Sequence, residues 1–433
     1  MHLTAPSEQR ALKGVAKENS QHQQLPMSLQ TDLRMDLRVV YNAPNRAHHY
    51  PYARELHKAG ILKAFVSGFS RLSPRSPIPE IGNALIRADL VQTLTVVSRR
   101  FRMPWAFSEE LAYWAKVQLD KSSRQALHDA DMFVFYSGCG LDSARWFKRN
   151  GGIVIVEAVN SHVLVQEQIL AEEYKSLGLP WQPFHVRDVR RRVAEVEEAD
   201  YVLLPSTFVA RSYLAKGIPP ERLLQVPYPM QKIAGVTASM RKTIHDDGCF
   251  RILYVGSVMV RKGIRYLIEA FRRFKHPKKE LWIVGPTVAP TGIENMSLPK
   301  DIKLFGPLKG EALEDVYRRA TVFCLPAVED GFGLVLMEAL YYGLPVIATE
   351  NTGIEDLLVD GKGGMVVPIR DAGAIADCLN QFAENRDLLQ RKRDEAAEAI
   401  TRLTNHSQSR PSLATTLMKT FKIHRSEKRN ESN

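Results

Sequence analysis

The sequence predicts an α/β fold in which two tandem Rossmann-like domains face each other across a cleft. Its 433 residues are long for one compact core, so two domains are expected. In both halves, short apolar runs alternate with amphipathic segments, which is typical of parallel βαβ units. A polar stretch interrupts this rhythm near the middle of the chain. The natural ligand site of such a pair of domains is the cleft between them.

The first domain is predicted at residues 36–230. The residues before it, 1–35, are polar and rich in glutamine, which predicts a disordered tail. Apolar runs predict six strands, at 37–42, 64–67, 132–137, 153–159, 201–205 and 223–226. Residues 231–249 lack a strand pattern and are predicted to be a linker.

The second domain is predicted at residues 250–403. Its strands are expected at 252–255, 281–284, 302–305, 322–325, 345–348 and 365–367. A C-terminal helical segment at 404–421 follows, and the polar residues 422–433 predict a second disordered tail.

Two carboxylates lie eight residues apart, at Asp330 and Glu338, around a glycine turn that opens a predicted helix. The turn follows an apolar strand, so it lies at the carboxyl end of a parallel strand, where open α/β sheets bind ligands. Gly331 and Gly333 lack Cβ atoms, and their N–H groups can approach an anionic ligand closely. This arrangement favours binding of a charged sugar donor, with helix caps or surface acids as the alternative.

A second glycine-rich segment runs from Gly256 to Gly263, at the end of another predicted strand. Arg261 and Lys262 come just before the predicted helix. Arginine grips phosphate oxygens bidentately and lysine adds a point charge, so the segment predicts a pyrophosphate site. The alternative is a pair of solvated cations at a helix start, where the macrodipole is slightly unfavourable to them.

These segments together resemble the retaining glycosyltransferases of the GT-B fold in family 4, also called glycosyl transferases group 1. The turn at Gly306 and Leu308 and the sequence GLPVIA from Gly343 belong to the same resemblance. It implies a metal-independent enzyme that moves a hexose from a nucleoside diphosphate sugar to a hydroxyl acceptor with retention, in polysaccharide or glycoconjugate biosynthesis. The nucleoside diphosphate sugar is the donor substrate, and no cofactor is expected.

The resemblance also assigns roles to residues. Glu338 matches the acid that binds the ribose hydroxyls, Asp330 matches the acid beside the transferred sugar, and Lys262 matches the phosphate-binding lysine. Asp330 stands where the family has a longer acid, so the neighbouring Glu329 is an alternative. Ser257 stands where an arginine is expected, and Arg261 is predicted to restore that charge. The remaining predicted donor-binding residues are Gly256, Gly306, Leu308, Gly331, Phe332, Gly333 and Leu334.

Two histidines are candidates on the sugar or acceptor side. His162 occupies the place where similar enzymes keep a histidine near the donor sugar, so it joins Asp330 and Lys262 as a predicted catalytic residue. A helix-capping or surface histidine is the alternative. His48 matches a first-loop position in some relatives.

The charge and composition limit the partners. The net charge of +11 favours anionic partners, but the lysines and arginines are spread too widely to favour nucleic acid. Basic and aromatic residues mix at 99–105, which predicts contact with an anionic membrane, with core aromatics beside solvated arginines as the alternative. A sugar, a lipid-linked sugar or a small molecule remain open as acceptors.

Other patterns are weak. The four cysteines show no metal-ligand spacing, Cys324 is expected to be a buried thiol, and no metal site is predicted. Asp129 and Asp131 form a DxD sequence that we interpret as coincidence. Without a long apolar run or a signal peptide, the chain is expected in the cytoplasm, at most peripheral at the inner face of the membrane. A non-catalytic GT-B scaffold that binds sugar nucleotides and a sugar-nucleotide epimerase remain alternatives.

Overall fold

The computed structural model describes residues 37–101, 103–229, 247–358, 361–405 and 411–431. The predicted tail at 1–35 and most of the predicted linker lie outside the described residues. Within the described residues, thirteen strands form two sheets in which every neighbouring pair is parallel. The predicted α/β architecture of two tandem sheets is therefore confirmed.

The first sheet has the strand order β3-β2-β1-β4-β5-β6-β7, and the second has β10-β9-β8-β11-β12-β13. The strands are β1 Val39–Ala43, β2 Leu62–Ser67, β3 Leu85–Arg87, β4 Met132–Tyr136, β5 Ile153–Glu157, β6 Tyr201–Leu204, β7 Leu223–Gln225, β8 Phe250–Val255, β9 Lys279–Val284, β10 Ile302–Gly306, β11 Val322–Leu325, β12 Val346–Thr349 and β13 Gly364–Val367. Strand order reverses between β1 and β4 and between β8 and β11, which opens a ligand crevice at the carboxyl ends of both sheets.

Fourteen α-helices accompany the strands in the described part of the chain. They are α1 His49–Lys58, α2 Leu90–Arg100, α3 Trp105–Ala126, α4 Leu141–Arg149, α5 Val163–Ser176, α6 Val186–Glu198, α7 Thr207–Leu214, α8 Ile264–Arg273, α9 Glu311–Arg319, α10 Leu334–Tyr341, α11 Ile354–Leu357, α12 Ala372–Glu384, α13 Arg386–Asn405 and α14 Leu413–Glu431. The central strands are buried on both faces, as parallel strands between helices are, and β5 is buried at all five positions.

The prediction of a disordered tail at 422–433 is wrong up to Glu431, because α14 runs through it. Leu413, Leu417 and Phe421 on this helix are buried, and such side chains contribute about 1.5–3 kcal/mol each. The Ala414 N–H also donates to Glu55 of α1 at 2.8 Å. Once these contacts anchor the first turns, lysine, arginine and glutamate extend the helix readily. The C-terminal helix thereby returns to the first domain.

None of the helices in the described residues has both the length and the hydrophobicity that crossing a bilayer needs.

Candidate active site

The position of Lys262 depends on the glycine that follows it. Val260–Lys262 form one 3₁₀ turn after β8, and Gly263 has a φ of 64°. A Cβ atom on Gly263 would lie 1.9 Å from the carbonyl oxygen of Pro326. Only glycine fits both the left-handed backbone and this approach, which lays the start of α8 against the loop after β11.

This approach brings Lys262 and Asp330 together. Lys262 Nζ forms an ion pair with Asp330 Oδ2, and each side chain is 14% exposed. Burial opposes the ionisation of Asp330, but the charges of Lys262 and Arg261 outweigh it and hold the pKa of Asp330 below its ordinary value. The pair therefore presents an ionised acid and a cation at the carboxyl edge of the second sheet.

Glu338 lies on α10 and is half-buried. Burial raises its pKa, although the Tyr317 hydroxyl opposes this by donating to Glu338 Oε2 at 2.9 Å. The Tyr317 ring stacks on Tyr342 with 4.9 Å between centroids, which fixes the hydroxyl. One carboxylate oxygen thus has a protein donor, which leaves lone pairs to accept ligand hydroxyls.

Arg261 faces a different acid from the one paired with Lys262. Its Nη1 donates to Glu329 Oε2 at 3.0 Å and to the Glu329 carbonyl at 2.9 Å. Fully buried Glu329 also accepts from the Ser161 N–H and hydroxyl and from the Gln166 amide, all in the first domain. Glu329 therefore joins the two domains, and this geometry does not support it as a substitute for Asp330.

The loop from Asp330 to Gly333 lies directly on the first domain. A Cβ atom on Gly331 would lie 1.9 Å from the carbonyl oxygen of Val159, and Ser206 Oγ donates to the Gly331 carbonyl at 2.6 Å. Gly333 has a φ of 69° at the start of α10. The loop from Asp330 to Gly333, called the donor loop below after its predicted role, is thereby in contact with the carboxyl end of β5 across the cleft.

The remaining predicted donor residues lie along the same edge. Gly256 directly follows β8, and Gly306 ends β10, where its carbonyl accepts from the Gly285 N–H at 2.9 Å. Leu308 packs partly buried against the core, and Leu334 is the exposed first residue of α10. The structure brings the predicted donor set to one edge of the sheet.

His162 lies beside this loop, immediately after Ser161. Its Nδ1 accepts from the Leu164 N–H at 3.3 Å and caps α5, as the alternative interpretation expected. Burial, with the charges of Arg192 and Lys216, lowers the pKa of His162 to about 4. The imidazole is therefore neutral near pH 7, and its contact with a sugar stays a prediction.

His48 is buried below the cleft. Its Nε2 lies 2.7 Å from Glu157 Oε1, and its ring stacks on Tyr228 at 3.6 Å. Burial, with neighbouring His49, lowers the pKa of His48 to about 4. Tyr228 in turn meets Phe332 edge-on at 5.1 Å, so this chain of contacts links His48 to the donor loop through another ring. A direct acceptor contact by His48 stays a prediction.

His48, His49 and Glu157 also have the geometry of a metal-binding cluster. Within the described residues, their ligand atoms lie within 4.8 Å of one another. These side chains are also engaged in a hydrogen-bond network, in which the Tyr41 hydroxyl donates to Glu157 Oε2 at 2.8 Å and lies 2.5 Å from His49 Nδ1. A metal ion at this cluster would have to displace these hydrogen bonds.

Two weak sequence patterns have structural explanations. Asp131 Oδ2 accepts from the Arg38 N–H at the amino end of β4, on the opposite edge from the candidate site. The turn around Gly138 and Gly140 does hold an acidic side chain, but it is the protein's own: Glu195 accepts from both N–H groups and from that of Leu141.

Sequence reasoning missed several residues that join the domains. Glu173 accepts from Arg370 Nε at 2.6 Å and from the Tyr266 hydroxyl, and Asp356 accepts from Thr207 and Gln225. A polar residue in an amphipathic helix shows the same sequence pattern whether it faces solvent or a second domain. The sequence therefore carries no signal that separates these residues from surface charges.

The sequence is similar to those of known glycosyltransferases. Residues 236–399 match the family model described as Glycosyl transferases group 1. The amylovoran biosynthesis glycosyltransferase AmsK of Erwinia amylovora is 28% identical over 223 residues, which are 46% of this chain and 54% of that protein. A D-inositol 3-phosphate glycosyltransferase of Streptomyces coelicolor is 32% identical over 194 residues, 40% of this chain and 42% of that one. The matches thus span about half the length of these relatives or less.

Solved structures match over most of the chain. Sucrose-phosphate synthase from Thermosynechococcus elongatus has a TM-score of 0.61 at 17% identity, covering 90% of this chain and 98% of that one. Anabaena HepE, in complex with UDP and glucose, has a TM-score of 0.57 at 13% identity, covering 90% and 100%. At such identities the likeness shows the fold alone. The chain therefore has the GT-B fold, and its residues 236–399 match the family model of the Glycosyl transferases group 1.

Proposed function

We propose that this chain is a retaining glycosyltransferase of family 4 that moves a hexose from a nucleoside diphosphate sugar to a hydroxyl acceptor. One observation carries the proposal: Lys262 and Asp330 are paired at the carboxyl edge of the second sheet, in a loop that lies against the first domain. A cation and an ionised acid are thereby fixed together in the cleft between two sheets, where this fold binds ligands.

The chemistry follows from these charges. The bond between the anomeric carbon and the diphosphate oxygen breaks, and a bond to the acceptor oxygen forms on the same face. The acceptor proton passes to the departing diphosphate. Negative charge grows on the diphosphate as it leaves, so the Lys262 ammonium and the N–H groups at the start of α10 stabilise the transition state. Asp330 accepts hydrogen bonds from the sugar, and Glu338 accepts them from the ribose. Neither role requires a metal ion or another cofactor.

The comparisons support a role in polysaccharide or glycoconjugate biosynthesis. The AmsK protein is named for amylovoran biosynthesis, and a 28% identical Salmonella typhimurium protein is named as a putative colanic acid biosynthesis glycosyltransferase. Structures of HepE are described as complexes with UDP, UDP-glucose, or UDP and glucose. We therefore place UDP-hexoses first among the donors.

A release assay tests the proposal. The full chain is incubated with UDP-, GDP- and ADP-hexoses, with and without methyl glycosides, and the free nucleoside diphosphate is measured. We expect one donor to be consumed, and Glu338→Gln to raise its KM. NMR of the product shows whether the anomeric configuration is retained. Absence of transfer with every donor contradicts the proposal: donor binding without release then indicates a scaffold, and an epimerised sugar that forms without any acceptor indicates an epimerase.

We also propose that the chain contacts an anionic membrane from the cytoplasmic side, through helix α2. Leu90, Leu94, Val97 and Phe101 follow one another at helical spacing, and all four are exposed, Leu90 at 66% and Phe101 at 74%. On the protein-facing side of the same helix, Thr95 and Ser98 are 1% and 5% exposed. The apolar stripe thus points outward, with Arg99 and Arg100 in the last turn, and this is the pattern of an interfacial helix. Arg102, in the same segment, lies outside the described residues.

A further inference from the structure

A cavity of about 880 Å³ between the two domains begins beside the donor loop and runs along the first domain. Asn160, Gln166 and Arg261 border one end of it. Gln166 and Arg261 both bind Glu329, the residue before Asp330. Of the predicted donor residues, the described lining includes Arg261 but not Lys262, Asp330 or Glu338. The cavity therefore adjoins the proposed donor site without containing it.

Aromatic rings form another part of the cavity lining. Trp181 stands between Tyr174 and Phe184, with ring centroids 5.0 Å and 5.8 Å away and interplanar angles of 63° and 66°. The rings come from the end of α5 and the segment that leads to α6, where Pro180 and Pro183 restrict the backbone. The Phe184 N–H donates to Glu167 at 3.0 Å. These contacts hold the rings in place before any ligand arrives.

Tyr113 of α3 forms a second aromatic surface. It stacks on His185 with 5.2 Å between centroids, and the Arg187 guanidinium lies 4.6 Å from the centroid of its ring. Trp105, at the start of the same helix, also lines the cavity. Aromatic walls of this kind attract ligand faces that carry C–H groups, because the ring face is the negative side of the aromatic quadrupole.

The charges in the cavity are balanced. Its described lining contains three cations, Lys116, Arg192 and Arg261, and three acids, Glu109, Asp188 and Glu294. Two of the cations are already paired: Lys116 with Asp188 at 2.6 Å, and Arg261 with Glu329 at 3.0 Å. A phosphorylated ligand would have to compete with these acids. The lining favours a neutral ligand that combines apolar faces with a hydroxyl rim.

We propose that this cavity is the acceptor site, and that it binds the neutral pyranoside end of a glycan by stacking on Trp181, with Tyr113 beside it in the aromatic lining. A pyranose ring offers C–H groups on its faces and hydroxyls around its edge, which matches aromatic walls beside the Asn160 and Gln166 amides. The inference rests on the proposed function, because it names the class of acceptor for that same reaction. A free oligosaccharide and the sugar end of a lipid-linked glycan share this chemistry.

Binding of small glycosides tests the proposal without any donor. The probes are methyl α- and β-pyranosides of glucose, galactose and mannose, the corresponding disaccharides, and inorganic pyrophosphate as the anionic probe. We expect at least one glycoside to bind, as measured by saturation-transfer NMR, and Trp181→Ala to weaken it at least tenfold. Trp181→Phe keeps a ring and should restore most of the affinity. Trp114→Ala is the matched control, since Trp114 lies on α3 but outside the cavity lining.

The transfer reaction gives the second readout. In Trp181→Ala the acceptor KM should rise at least tenfold while the donor KM does not. Octyl glycosides that bind more tightly than methyl glycosides, in wild type but not in Trp181→Ala, identify the lipid-linked source; equal affinities identify the free glycan. Glycoside affinity that Trp181→Ala leaves unchanged overturns the inference, and so does the absence of glycoside binding by a protein that still binds pyrophosphate. Failure of the proposed function is a separate result, namely no donor turnover while glycosides still bind.

Discussion

The ammonium group of Lys262 forms an ion pair with the carboxylate of Asp330, although the two residues come from different loops at the edge of the second sheet. The pair is enclosed on one side by Gly263 against Pro326 and on the other by Gly331 against Val159. A bound diphosphate would have to share the lysine with this acid. The pair therefore sets the position of the lysine before the donor arrives, which lowers the cost of ordering its flexible side chain.

Replacing Lys262 by methionine should lower kcat at least 100-fold. The reason is that the leaving diphosphate loses a fixed positive charge, and such a donor contributes about 3–4 kcal/mol to the transition state. Lys262→Arg should keep part of the activity because it keeps the charge. Steady-state measurement of kcat and donor KM checks this, with Lys58→Met on the exposed end of α1 as the control. A Lys262→Met enzyme with wild-type kcat would remove Lys262 from the mechanism.

A double-mutant cycle on Arg261 and Glu329 should separate two roles for the arginine. If Arg261 mainly neutralises buried Glu329, Arg261→Ala destabilises the fold by about 3 kcal/mol, since it leaves a buried acid without its cation. Glu329→Gln in the same chain should then recover much of that loss. Urea unfolding measures the stabilities and donor KM is measured in parallel. A donor KM that rises equally in Arg261→Ala and the double variant would instead support the phosphate-binding role predicted from the missing arginine at Ser257.

The strands of both sheets were predictable, because an apolar run of four to six residues between turns has few other interpretations. The exception is β3, where the apolar run of Leu85 and Ile86 ends at Arg87, whereas the equally short β7 is followed by apolar Val226. The pairing of Arg261 with Glu329 was not predictable, since a cation and an acid 68 residues apart in sequence meet only after both sheets have formed. The sequence left two interpretations of His162 open, and the structure shows its capping contact with Leu164 directly.

Replacing Gly331 by alanine should prevent the two domains from closing. The new methyl group would meet the Val159 carbonyl at 1.9 Å, and backbone on both sides leaves no flexible side chain to move. Because Lys262 and Glu338 lie in the second domain, donor KM should change little while kcat falls at least tenfold. Small-angle X-ray scattering should show a larger radius of gyration.

Gly373→Ala in α12 is the control, since the nearest neighbour of the added Cβ atom, at 3.1 Å, is a side-chain oxygen of Asp371. Unchanged kcat in Gly331→Ala would show that closure tolerates the methyl group.

His162→Asn should change the pH dependence of stability without removing the helix cap, since asparagine is a good N-cap residue. Histidine has a pKa of about 6.5 in an unfolded chain, whereas in the folded protein the pKa of His162 is lowered to about 4. Between pH 4 and pH 6.5, His162 is therefore protonated more fully in the unfolded state than in the folded state. The free energy of unfolding should therefore fall as pH decreases from 6.5 to 4, by up to about 1.4 kcal/mol per pH unit.

His48 contributes in the same direction, because its pKa is also lowered to about 4. Glu195 acts in the opposite direction, since burial raises its pKa to about 7 and the folded state then holds the proton. Urea unfolding of His162→Asn and of the wild type from pH 4 to 8 measures the free energy of unfolding. The difference between the two pH profiles is the contribution of the His162 proton alone. Identical pH profiles would contradict the lowered pKa. If the ring also contacts the sugar, as we predict, kcat of His162→Asn falls at least tenfold at pH 7.

Vesicle binding should depend on the apolar stripe of helix α2. Phe101→Ser and Leu94→Ser place hydroxyls at exposed positions, so they should not weaken the fold, yet each removes apolar surface that would enter the headgroup region. Flotation with vesicles of phosphatidylglycerol and phosphatidylcholine should recover the wild type, and the double variant should be recovered at least fivefold less. Vesicles of phosphatidylcholine alone should recover less protein, because Arg99 and Arg100 then lose their anionic partners.

Phe305→Ser, on an exposed strand of the second domain, controls for the loss of an aromatic ring. Equal recovery of wild type and double variant would assign the stripe to a protein partner instead, because an outward apolar face of this kind still marks an interaction surface.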